Sequence, residues 1–143
     1  MRLLLYFAKP IIFWISVQHA KNLFSKYGPF DAVLSDSGGY PVYECISAII
    51  AASKLNIPKR MLYIHYAPPK PPVMMETFEW LIDRMLCKYA TDIVANSLAT
   101  RKTLVDRRWF STELNPIRVI YPGVDISFNE MDDSNHILRD KFS

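Results

Sequence analysis

Four short apolar runs punctuate the chain: Asp31–Ser35 (DAVLS), Arg60–His65 (RMLYIH), Asp92–Ala95 (DIVA) and Ile117–Tyr121 (IRVIY). Each is bounded by polar or turn residues and reads as a strand. The apolar positions within a run are continuous rather than alternating, which predicts strands buried on both faces of a parallel sheet. The runs recur at roughly 30-residue intervals, the length of a strand–helix–strand unit. The intervals carry a helical period. Val42, Ile46, Ile49 and Ile50 form one stripe, with Pro41 placed for the first helical turn. Met74, Phe78, Leu81, Ile82, Met85, Leu86 and Tyr89 form a longer one, with Glu76 and Glu79 early and Arg84 and Lys88 late, as the helix dipole favours. Ser97 is placed to cap a third helix that runs to about Arg108. The pattern predicts an α/β domain, a Rossmann-like parallel sheet with flanking helices joined by right-handed crossovers.

A leading helix precedes the first strand. Leu3 to Val17 is apolar apart from Ala8-Lys9-Pro10 and Ser16. That run is too short and interrupted to span a bilayer, which takes about 18 to 20 apolar residues. It also lacks the small-residue cleavage site of a signal peptide. Residues 1–30 hold Arg2, Lys9, Lys21 and Lys26 and no acid, whereas the rest of the chain holds the other 13 basic and all 14 acidic residues. Two readings stand: a helix kinked at Pro10 that covers the sheet, or residues 1–26 lying on an anionic membrane surface.

Composition narrows the class. With 143 residues, half of them apolar, the chain is neither a disordered tail nor a low-complexity linker, and it can bury a core. A net charge of +3 does not argue for nucleic acid. Cys45 and Cys87 are far apart and outside any CxxC motif, as in reduced thiols of a cytoplasmic protein. Three histidines without ligand spacing argue against a metal, and no cofactor motif is present. Residues 1–123 read as the Rossmann-like unit. Residues 124–143 turn polar and then restart an apolar pattern at Ile137, Leu138 and Phe142, as a linker into a second domain would.

Ligands of parallel α/β sheets bind beyond the carboxyl ends of the strands, so four loops carry the candidate chemistry. The first runs from Ser35 and Asp36 through Gly38 and Gly39 to Pro41; its glycines either serve a tight turn or bring backbone amides to an anion at the helix start. The second is His65-Tyr66-Ala67-Pro68-Pro69-Lys70-Pro71-Pro72. A histidine at a strand's carboxyl end suits proton transfer or a hydroxyl hydrogen bond, and the prolines predict an extended, exposed stretch. The third holds Asn96 and Ser97, the fourth Pro122 and Gly123. No paired carboxylates, Ser/His/Asp set or Cys/His pair emerges at useful spacing.

Taken together, "DAVLSD", "NIPKRMLYIHY", "ATDIVANSLATRKTL" and "IRVIYPGVD" resemble, in order and spacing, the acceptor-side domain of retaining GT-B glycosyltransferases of family 4. The "YIHYAPP" form is similar to the lipid-linked-oligosaccharide mannosyltransferases. The resemblance covers about residues 29–126. It implies two Rossmann-like domains facing across a cleft, with the acceptor on this one and a nucleotide sugar on the other. It places His65 at the family's histidine near the acceptor, Ser35 and Asp36 at the cleft, and Asn96 and Ser97 at the corner after the third strand. Pro122 and Gly123 fall at the interdomain turn. The family's glycine-rich first loop and its donor domain have no counterpart here, so the resemblance implies an internal piece of such an enzyme, inactive alone. Two further readings are a membrane-recruiting subunit that pairs with a separate donor-domain chain, and a small phosphate-binding module using Gly38 and Gly39.

Overall fold

A computed structural model describes residues 2–66, 68–108, 110 and 116–123, with residues 2–7 given by backbone alone. The elements are α1 (Arg2–Tyr27), β1 (Ala32–Ser37), α2 (Tyr43–Lys54), β2 (Lys59–Ile64), α3 (Glu76–Tyr89), β3 (Asp92–Ala95), α4 (Leu98–Arg107) and β4 (Ile117–Val119), with a 3-10 turn at Val73–Met75. The strands form one parallel sheet in the order β1-β2-β3-β4. Residues 124–143, read from the sequence as a linker, lie outside the described residues.

Among the described residues only one face of this sheet is covered, which corrects the expectation of burial on both. The register aligns Ser35, Leu62, Ile93 and Ile117 in one row and Ser37, Ile64 and Ala95 in the next. All of these are buried, and the last five apolar ones join Ile46, Ile49 and Ile50 of α2, Ile82 and Leu86 of α3 and Leu104 of α4 in one core. The reason is topological. Three crossovers of one hand, each stepping in the same direction, place every connecting helix on the same side. The opposite face carries Leu34, 67% exposed, together with Asp36, Met61, Tyr63 and Arg118. Val94 alone is fully buried there. Its register neighbours are Tyr63 and Arg118, and the Tyr63 hydroxyl reaches across β3 to donate to the Ile120 carbonyl at 3.1 Å.

The helices match their predicted places, with three differences. α1 runs through Pro10 to Tyr27 and lies against α2 rather than on the sheet, with Phe13 and Val17 buried. α1 ends where Gly28 donates its amide to the Phe24 carbonyl; a Cβ on Gly28 would sit 2.8 Å from that oxygen. α2 begins at Tyr43, with Val42 at its N-cap, so Pro41 lies before the helix rather than in its first turn. α3 is rotated from the predicted stripe: Met74 and Leu81 are exposed, whereas Met75, Glu79, Ile82, Asp83, Leu86 and Cys87 are buried. Two acids occupy core positions on that face because a cation meets them there, as described below.

Candidate functional site

Adjacent parallel strands bring Asp36 and His65 together. Asp36 stands in register with Tyr63, and His65 follows two residues later on the same open face, just past the carboxyl end of β2. His65 Nε2 lies 2.6 Å from Asp36 Oδ1. A carboxylate can only accept, so Nε2 donates this bond, and in the neutral ring Nδ1 then keeps its lone pair. The Tyr63 ring meets the imidazole edge to face, with centroids 4.5 Å apart. The His65 side chain is 34% exposed and that of Asp36 63%. The imidazole is therefore oriented from two sides and still open to a ligand, the arrangement that proton transfer to or from a hydroxyl requires.

The other predicted site residues divide by position. Tyr66 is 70% exposed beside His65. The proline loop is only partly exposed, contrary to expectation: Pro68 and Pro71 are buried and Pro69, Lys70 and Pro72 are not. Its prolines dock it on the body of the domain as well as extending it. Ser35 points to the helix layer, opposite His65, and donates to the Cys45 carbonyl at 3.1 Å. Gly38 and Gly39 take no left-handed φ, and a Cβ on either would meet nothing within 4 Å, so the turn does not require glycine at these positions. Ser97 caps α4 by accepting from the Thr100 amide at 3.1 Å, and Asn96 Oδ1 accepts from the Thr100 hydroxyl at 2.8 Å. Both side chains thus hold the first turn of α4. Pro122 and Gly123 follow β4, exposed.

A second polar cluster lies inside the helix layer, unforeseen from sequence. Arg108 donates from Nε and Nη2 to the two carboxylate oxygens of Asp83, at 2.9 Å each, and from Nη1 to Glu79. The Tyr40 hydroxyl donates to Asp83 and that of Tyr43 to Glu79 at 3.1 Å. Arg108, Asp83, Glu79 and Tyr40 are all buried. The guanidinium lies over the Tyr40 ring, whose edge meets Phe110. Burial opposes the Arg108 charge, yet the bonds and charges of Asp83 and Glu79 outweigh it and raise its pKa. Burial, then the neighbouring carboxylates, raise the pKa values of Tyr40 and Tyr43. No buried side-chain oxygen or nitrogen among the described residues lacks a partner. This cluster is saturated and closed, and it ties the Gly38–Tyr40 loop to α3. The sequence signal for it is the i, i+4 pair Glu79 and Asp83 in phase with Ile82 and Leu86, legible only once a cation is known to face them.

A hollow of about 620 Å³ is lined by Arg84, Met85, Cys87, Lys88 and Tyr89. Those residues end α3, at the amino ends of the strands and away from His65. The Asp36–His65 pair is the better candidate because it joins an oriented proton-transfer group to the end of a parallel sheet where loops converge. No family model, curated protein or solved structure matches this chain.

Proposed function

We propose that this unit forms the acceptor-binding side of a nucleotide-sugar glycosyltransferase. The observation that carries the reading is the Asp36–His65 pair, 2.6 Å apart at the carboxyl end of an all-parallel sheet. The order of the four strand-and-loop motifs supports it. In this reading His65 accepts the proton of the acceptor hydroxyl or hydrogen-bonds it, Asp36 holds the ring, and Tyr66 offers a face for a sugar ring. The finer reading is transfer of mannose to a glycan or lipid-linked acceptor. The donor diphosphate needs preorganised cationic and backbone donors, which the reading assigns to a second Rossmann-like unit, joined to this one or carried by a separate chain.

Titration of the isotope-labelled chain with a water-soluble, short-chain prenyl diphosphate disaccharide should shift the resonances of His65 and Tyr66. A nucleotide sugar should leave them unmoved. Shifts confined to Gly38 and Gly39 on adding nucleotide would instead favour a phosphate-binding module, and no shift with the saccharide would overturn the acceptor reading.

A further inference from the structure

α1 is longer than the layer it packs on. Phe13 and Val17, buried, and Ala20 and Phe24, partly buried, form the stripe packed in the core. Around that stripe Ile11, Ile12, Trp14 and Ile15 remain exposed, Ile11 at 64% and Ile15 at 62%. The Phe13 ring meets those of Tyr43 and Phe78, in the first turns of α2 and α3, which start at the carboxyl ends of β1 and β2. Toward its own start, α1 therefore continues past that end of the sheet. From Phe13 back to Arg2 the helix extends about 16 Å, with the sequence RLLLYFAKPII.

A second element presents apolar side chains at the same end. Val73 is 86% exposed and Met74 61%, in the turn that precedes α3, and Tyr66 follows β2. The charge there is mixed: Lys9, Lys70, Arg101, Lys102 and Arg107 stand with Asp36, Glu44, Glu76 and Asp106, whereas residues 1–30, which lead into this end, carry four basic residues and no acid in sequence. No helix among the described residues is long and apolar enough to cross a membrane. An apolar rim on an acid-free basic leading helix, too short to span, fits the interface of an anionic bilayer.

We propose that the leading half of α1 and the Val73–Met74 turn dock this end of the domain on an anionic membrane surface. His65 then opens toward the bilayer, where a lipid-borne acceptor would lie; that last clause rests on the acceptor reading, but the docking does not. The test is flotation of the 143-residue chain with phosphatidylcholine vesicles, with and without roughly 30% phosphatidylglycerol, at about 0.1 and 0.5 M salt. The chain should float with the anionic vesicles at low salt, and its partitioning should fall about tenfold or more in high salt and with neutral vesicles. Ile11→Ser with Ile15→Ser, exposed positions that leave the core intact, should lower it about tenfold or more; Val73→Ser with Met74→Ser should lower it less. Binding unchanged by salt and by both double variants would overturn the proposal. So would absence of flotation, particularly if the chain then runs as a dimer that the Ile11/Ile15 variant dissociates. Failure here leaves the saccharide titration unaffected.

Discussion

Two polar clusters flank the first crossover, and they are built in opposite ways. The Arg108–Asp83–Glu79–Tyr40–Tyr43 cluster is shut away from water, and its buried side-chain oxygens and nitrogens are hydrogen-bonded. The Asp36–His65 pair joins two neighbouring strands on the face that no described helix covers, and keeps a ring nitrogen outside its own hydrogen bond. In the interior a missing partner leaves a charge without water to replace it, so such a network is costly to break. At the exposed pair water takes over from either partner, and the bond stabilises the fold by only about 0–1 kcal/mol. The closed cluster is suited to fixing the fold, the open one to meeting a ligand.

The largest effect should come from Arg108. Arg108→Ala leaves Asp83 and Glu79 buried without their cation and should destabilise by about 3–5 kcal/mol, read as a fall in the urea midpoint. Replacing Arg108, Asp83 and Glu79 together by Met and Leu should recover much of that loss, since no charge is then stranded. Full stability of Arg108→Ala alone would erase the contrast. Tyr40→Phe removes a bond to a buried carboxylate and should cost about 2 kcal/mol, more than Tyr43→Phe, whose partly buried hydroxyl has water as a substitute.

Alkaline pH should separate the clusters too. Tyr40 and Tyr43 have native pKa values raised above 10.0, first by burial and then by Asp83 and Glu79. Once pH passes about 10 the unfolded chain releases these protons and the native one holds them, so the unfolded state is favoured and stability falls. Each tyrosine contributes about 1 kcal/mol of loss per pH unit in that window. Unfolding curves at pH 10 and 11 should show a smaller drop for Tyr40→Phe than for wild type. An equal drop would mean that Tyr40 ionises alike in both states.

The smallest stability effect should come from Asp36→Asn, below about 1 kcal/mol, yet it should alter the imidazole. An amide can donate as well as accept, so the nitrogen-15 spectrum of His65 should move from the Nε2–H tautomer toward a mixture. An unchanged tautomer would show that Asp36 does not set it.

The contrast also explains what could be read from the chain. β3 spans Asp92–Ala95 as its apolar run indicated, and Ser97 caps α4 as its type and place suggested. The place of His65 just past β2 was legible because it closes the apolar run Arg60–His65. The open face was not legible: Leu34 is apolar and belongs to a continuous run, and only the direction of three crossovers decides that the connecting helices all lie on the other side. The rotated face of α3 was hidden for a related reason. Glu79 and Asp83 look like surface acids until Arg108, distant in sequence, is brought against them.

The most direct test of the division of labour is His65→Ala, measured for urea unfolding and for affinity toward the prenyl diphosphate disaccharide in the same preparation. In the two-unit glycosyltransferase proposed above, the variant should also lose about 10²-fold in turnover. The account predicts a midpoint shift worth no more than about 1 kcal/mol and an affinity lowered roughly tenfold by the lost hydrogen bond. A large drop in the midpoint with the affinity intact would contradict it and make His65 a structural residue.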